Sequence, residues 1–334
     1  MDIKTYNPTS PNLELNKLLR EKYGNNKNFD YFLADFNKSF DFCLDNENIR
    51  FFPITGTENG RLCAHIALII DKRLPTGEAF FGFLEIPKDV SIFNSLWESL
   101  IKEARSQGIS VLKGPVNGSI WHQYRCIKES DNSDFFKTEL LCESYYYDLL
   151  ISKNPNAEIE YYSASREKYD IVLQMISQDA YTKLEAVGFS IKVATQVGLE
   201  DLTKIAEISK TVFKNSWSYT ELNGREFLLL YSHEKLSAHL NTIYLLYRGE
   251  EIIGFCSTFK EDDTTLILKT ICILPPYQGM GLGNALAYKI HLDAKRDGFK
   301  KIIYALIREG NNIKKFPQEE AVIFRRYAAF EFKI

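Results

Sequence analysis

Three glycines within five residues, Gly279, Gly281 and Gly283, separate an apolar run from a segment of helical period in "LILKTICILPPYQGMGLGNALAYKIHLDAKRDG", Leu266 to Gly298. A loop of this composition at a helix start has no side chains to block approach. Several backbone N–H groups can then converge on one anion at the positive end of the helix. The pattern suits a phosphate cradle, and it equally suits a tight strand-to-helix turn. Spacing excludes two other phosphate loops. The dinucleotide fingerprint needs Gly or Ala in the sixth place of GxGxxG, where Asn284 or Leu286 stands. The triphosphate loop needs Gly-Lys-Ser/Thr after four residues, and Gly279 leads instead to Asn284.

Other chemistry is thinly represented. The six cysteines form no CxxC and no close pair, and His233 and His239 are six residues apart, so no metal is expected and free thiols are. A net charge of -3 and the lack of long blocks of like charge argue against nucleic acid as a partner. The start, "MDIKTYNPTS", has no leader pattern, and apolar runs such as "AHIALII" are far shorter than a bilayer span. A cytoplasmic protein without a membrane partner, monomer or homodimer, is expected.

The elements that must position the loop recur along the chain. "NIRFFPITG", "RLCAHIALIID" and "EAFFGFLEIPKD" read as strands, followed by a helix with Phe93, Leu96, Trp97, Leu100 and Ile101 at helical spacing, a stop at Gly108 and the strand "ISVLKGP". "TIYLLYRGE", "EIIGFCSTFKED" and "TTLILKTICILPP" repeat the order, with a helix ending at Gly298 and the strand "KKIIYALI". Pro87 answers Pro275 and Gly108 answers Gly298 at offsets of 188 and 190 residues, which suggests two copies of one unit. Domains of 1–185 and 186–334 are expected.

The order "ILPPYQGMGLGNAL" resembles the signature of the GNAT superfamily of N-acetyltransferases, in which an Arg or Gln opens QxxGxG, here Gln278, Gly281 and Gly283. Ile273 and Pro275 stand where that family has Val-x-Pro, and Leu282 to Leu286 opens the next helix. "IFRRYAAFEFKI" is similar to its closing pattern, with Tyr327 and Phe332 in place and Glu331 where Gly is usual. With "LKGPVNGSIWHQYR" in the first half, the whole chain resembles a tandem GNAT-like group. The resemblance implies an α/β fold of two tandem GNAT-like domains, each a mixed, mostly antiparallel sheet flanked by helices. It implies acetyl-CoA, or another acyl-CoA, as co-substrate, held by Gln278, Gly279, Met280, Gly281, Leu282, Gly283 and Asn284. The backbone at Ile271 and Ile273 and an Asn at 311 or 312, Asn312 for preference, would complete that site. Tyr327 would be the general acid.

Moving an acyl group from a thioester to an amine needs a neutral amine, an oxyanion site and a proton for the thiolate. With an amine pKa of about 10.4 and a thiol of about 8.5, amine deprotonation is the harder task near neutrality. No base is evident: His233, Glu226 and Asp263 read as solvated, and His291 as lying on the exposed face of its helix. Lys269, a cation within an apolar strand, either snorkels or meets an anionic part of an acceptor. In the first half "KDVSIFN" replaces the glycines and sets Asp89 where a pyrophosphate would sit, so one CoA site is expected, in the second half. Trp121, His122, Tyr124 and Arg125 would then wall an acceptor pocket or simply pack. The expected function is direct N-acylation of a primary amine on a small molecule or peptide. The alternatives are an acyl-CoA-binding sensor or assembly module without turnover, and a transferase of longer acyl groups.

Overall fold

A computed structural model describes residues 1–6, 8, 12–175, 178–231, 240–310 and 321–334. In chain order the elements begin β1 (Asp2–Thr5), α1 (Leu13–Tyr23), α2 (Phe29–Asp45), β2 (Ile49–Glu58), β3 (Arg61–Asp71), β4 (Glu78–Glu85), α3 (Val90–Ser106), β5 (Val111–Gly114), β6 (Cys126–Ser130), α4 (Tyr145–Ile151) and β7 (Ala157–Arg166). They continue as α5 (Asp170–Met175), α6 (Gln178–Thr182), β8 (Phe189–Ala194), α7 (Leu199–Phe213), α8 (Gly224–Tyr231), β9 (Leu240–Arg248), β10 (Glu251–Lys260), β11 (Thr265–Ile273), α9 (Leu282–Arg296), β12 (Lys301–Arg308) and β13 (Val322–Lys333).

The chain divides into two compact units: Met1–Tyr161 with Trp217–Thr220 and Arg325–Ile334, and Tyr162–Ser216 with Glu221–Phe324. This corrects the expected boundary at residue 185. Residues 162–185 go with the second unit, because α5 and α6 pack on α9. The end of the chain returns to the first unit, because β13 pairs there with β5 and β6.

In the first unit the strands run β1-β2-β3-β4-β5-β13, and β6 also pairs with β13. All pairs are antiparallel except β4 with β5, which run parallel from Glu78–Val111 to Phe80–Lys113. Phe29, Phe32, Phe36 and Phe40 recur on one face of α2, as a helix facing a core requires. That stripe meets Phe83 edge-on, at ring distances of 5.2 Å from Phe36 and 5.3 Å from Phe40. Trp97 of α3 packs on Phe332 of β13 at 4.9 Å, so the last strand is part of this core.

In the second unit the order is β7-β12-β11-β10-β9-β8. An antiparallel meander from β8 to β11 precedes β12, which runs parallel to β11 from Thr265–Lys301 to Leu268–Tyr304. Leu282, Leu286, Ile290 and Ala294 line the buried face of α9 and join Leu246, Ile253, Leu266 and Ile302 in the core. The sequence echo thus appears as one supersecondary unit built twice: β2-β3-β4-α3-β5 and β9-β10-β11-α9-β12. The expected mixed, mostly antiparallel sheets flanked by helices are present in both units.

All six cysteines are free, and all but Cys63 are buried. Among the described residues no helix is long and apolar enough to cross a membrane, and no three His, Cys, Asp or Glu side chains gather as metal ligands would.

Candidate functional site

The glycine loop bridges β11 and α9 in the second unit, and two of its three glycines are required by conformation. Gly279 has φ 80° and Gly281, the N-cap of α9, has φ 79°, a region that L-residues with a Cβ avoid. A Cβ at either position would meet nothing within 4 Å, so the space before the helix is open. Gly281 O accepts from the N–H groups of Asn284 and Ala285, each at 3.1 Å. The first-turn N–H groups of Leu282 and Gly283 have no acceptor within the helix. The Leu282 side chain is in the core, whereas Met280 is exposed. Gln278 serves the loop itself: its Nε2 donates to Ile273 O at 2.7 Å and ties the loop to the end of β11.

Beside the loop, β11 and β12 part. Their ladder ends at Leu268–Tyr304, whereas β11 continues to pair with β10 as far as Ile273. Leu274 N–H turns back to Ile253 O at 2.9 Å. By the alternation of a strand backbone, Ile271 and Ile273 direct their N–H and C=O groups the other way, toward the side that β12 has left. A cavity of about 330 Å³ lies there, lined by Leu268, Lys269, Ile271, His291, Tyr304 and Arg166 among others. The second unit therefore has an unpaired backbone edge, a cavity and an open helix start.

The corresponding place in the first unit is closed. The segment after β5 is stitched to β4: Val116 N–H donates to Phe81 O at 2.8 Å, and Phe83 N–H donates to Asn117 Oδ1 at 2.6 Å. The void beside these residues is about 10 Å³. Asp89 caps α3, accepting from Ser91 N at 2.8 Å and Ile92 N at 3.2 Å, so a carboxylate already holds the donors that a phosphate would use. Those hydrogen bonds, with that from the Ser91 hydroxyl the largest influence, hold the Asp89 carboxyl below its usual range. A Cβ on Gly82 would lie 1.9 Å from Val116 O. Gly82→Ala should therefore destabilise the first unit by about 1–3 kcal/mol, as for an overpacked site, a loss that urea denaturation followed by tryptophan fluorescence would show.

The remaining sequence candidates are dispersed. Tyr327 lies in the first unit, buried on β13 opposite Ile127, and its hydroxyl donates to Glu139 Oε1 at 2.5 Å. The proton of the expected general acid is thus engaged by a buried carboxylate. Trp121, His122, Tyr124 and Arg125 also belong to the first unit, where Trp121 packs on Tyr219 and Tyr124 on Trp217. Trp121 Nε1 donates to Thr220 O at 2.8 Å, and the Arg125 guanidinium lies 3.8 Å from the Tyr124 ring centre. His122 Nδ1 is 2.9 Å from Ser119 Oγ, and burial, followed by the charges of Arg73 and Lys38, lowers its pKa to about 3. Asn311, Asn312 and His233 lie outside the described residues.

Glu226 is buried rather than solvated, because it forms a capping box with Asn223, at 2.7 and 2.9 Å. Asp263 is exposed beside Lys260. His291 overturns the expectation of an exposed helix face: it is 1% exposed and lines the cavity, where Tyr304 meets it. Sequence reasoning missed Tyr304 and Arg166 altogether. Each sits in an apolar strand, and no local pattern marks the point at which two strands separate.

Residues 202–314 match the model of the acetyltransferase (GNAT) family. No curated protein matches the chain by sequence. Among solved structures, the tandem GNAT protein from the clavulanic acid biosynthesis pathway aligns over 99% of this chain and 98% of its own, with TM-score 0.59 and 9% identity. The GCN5-related N-acetyltransferase from Sphaerobacter thermophilus aligns over 99% and 95%, with TM-score 0.53 and 12% identity. That from Kribbella flavida aligns over 98% and 70%, with TM-score 0.55 and 11% identity. At these identities the likeness is one of fold.

Proposed function

We propose that this chain, which carries a GNAT domain at residues 202–314 within a tandem GNAT fold, is an acyl-CoA-dependent N-acyltransferase. It would move an acetyl or other acyl group directly to a primary amine of a small molecule or peptide. The observation that supports this reading best is the parting of β11 from β12 beside an open glycine loop, with a cavity of about 330 Å³ in the gap. The loop N–H groups at Leu282 and Gly283 suit a pyrophosphate. The backbone of Ile271 and the N–H of Ile273, which β12 does not pair, suit the amides of a pantetheine arm and the thioester carbonyl, while Ile273 O is held by Gln278. The closed strands and self-capped helix of the first unit favour a single donor site.

Acetyl-CoA at about a hundred times its dissociation constant should stabilise the native protein by roughly 2.7 kcal/mol. A thermal-shift titration with acetyl-CoA, CoA and longer acyl-CoAs checks this, and thiol release with a panel of primary amines checks turnover. No shift with any acyl-CoA would reject the donor. Binding without thiol release would leave a binding module.

A further inference from the structure

We propose that Tyr304 and His291 form a proton relay in the second unit's cavity, Tyr304 accepting a proton from the attacking amine while passing its own to His291. The inference rests on the N-acyltransferase reading above and supplies the base that reading lacks.

Hydrogen-bond geometry fixes the direction of the relay. His291 Nδ1 lies 2.7 Å from Ala287 O, a carbonyl that can only accept, so Nδ1 carries the imidazole proton. Nε2 is then a lone pair in the neutral ring, and it lies 2.6 Å from Tyr304 Oη. The Tyr304 hydroxyl must donate to it, which leaves the phenol oxygen its own lone pairs to accept another proton. Burial, as the largest influence, and the Arg166 charge lower the His291 pKa to about 4, so the ring is neutral at ordinary pH. Tyr169 packs edge-on to the imidazole at 6.0 Å and Tyr304 stacks on it at 5.9 Å, which holds the ring in place.

Position gives the pair a use. Tyr304 is the last residue of β12 to pair with β11, at Leu268, so it stands at the fork where the cavity opens. Both Tyr304 and His291 line that cavity with Ile271. A pair that only filled space would be replaced by apolar side chains without the cost of desolvating three polar atoms.

As the amine nitrogen bonds to the thioester carbon, its N–H becomes acidic. That proton moves to Tyr304 Oη, and the phenolic proton moves to His291 Nε2. The C–S bond then breaks and the electron pair leaves with sulfur. The imidazolium, a strong acid beside Arg166, returns one proton through Tyr304 to the thiolate. Amine and thioester have become amide and thiol, and both side chains are restored.

Two measurements on the full chain test the relay. In the first, ¹⁵N spectra of histidine-labelled protein should show His291 neutral and Nδ1-protonated, with Nε2 accepting a hydrogen bond that Tyr304→Phe removes. An Nε2-protonated ring would overturn the relay. In the second, thiol release from acetyl-CoA is followed with water and primary amines as acceptors. Tyr304→Phe, which keeps the ring, should lower kcat by at least about 100-fold while acetyl-CoA affinity stays within a few-fold of the parent. His291→Gln should do the same if it folds. A Tyr304→Phe enzyme of near-parental kcat would overturn the relay alone, whereas a parent that binds acetyl-CoA yet releases no thiol to any acceptor would overturn both the relay and the transferase reading. A parent that binds no acyl-CoA would overturn the transferase reading beneath it.

Discussion

Gly281→Glu is expected to weaken acetyl-CoA binding by about 100- to 1,000-fold. Gly281 sits at φ 79° with nothing within 4 Å of an added Cβ, so a side chain there projects into the open space before α9. A glutamate at that point would take the helix N–H donors for itself, as Asp89 does at the start of α3. It would also set a negative charge beside the pyrophosphate, a repulsion of about 4 kcal/mol at 4 Å and an effective dielectric near 20. Left-handed strain adds roughly 1–2 kcal/mol to any non-glycine residue. Gly281→Ala carries that strain without the carboxylate, and calorimetric titration of both variants separates the two effects. A glutamate variant that binds within about five-fold of the alanine variant would mean that the loop does not hold the phosphates.

The second large effect concerns stability. Arg325→Ala should cost the first unit about 3–5 kcal/mol, the usual loss when one partner of a buried ion pair is removed. Arg325 Nη1 donates to both Glu139 oxygens, at 2.7 and 2.6 Å, and the two side chains are 1% and 0% exposed. Tyr327 adds its hydroxyl to the same carboxylate. Burial raises the Glu139 pKa above its ordinary 4.5, against the pull of Arg325. Without the guanidinium only the hydrogen bonds from the Tyr327 hydroxyl and Phe136 N–H oppose that rise. The folded pKa then stands further above the unfolded one, so the part of the penalty linked to Glu139 ionisation is absent below about pH 4.5 and grows as pH climbs toward the folded pKa. Urea denaturation should show a larger deficit at pH 8 than at pH 5. A loss under about 1 kcal/mol at pH 8 would mean that the pair is not a keystone of this unit.

Both predictions start from residues that the sequence displays, and they differ in how much of the reasoning it could supply. The glycine loop was legible because its cause is local: positive φ at Gly279 and Gly281 and the need for open backbone at a helix start are properties of a few consecutive residues. The internal echo was legible for a similar reason, since strand alternation and helical period survive in each copy. Asp89 could be read as hostile to phosphate from its place alone, and the structure adds that it caps its own helix.

"IFRRYAAFEFKI" illustrates the limit. Its alternation marks a strand, but nothing in the segment says which unit it will join. The structure pairs Tyr327 with Ile127 and Phe330 with Gly114, and so assigns the segment to the first unit. His291 shows the same limit on a helix. Its neighbours Leu286 and Ile290 define a buried face, and the approach of Tyr304 from β12, with Tyr169, widens that face to include it.

The sequence by itself determined the repeated unit, the glycine loop and the loss of that loop from the first copy, because backbone conformation and side-chain periodicity are set by near neighbours. Tertiary structure alone decided that residues 217–220 and 325–334 belong to the first unit, that β11 and β12 part at Leu268–Tyr304, and that a histidine and a tyrosine face one cavity. Strand partners are chosen by backbone hydrogen bonds whose geometry is nearly the same for every residue type, so pairing between distant segments leaves little trace in either segment's own sequence.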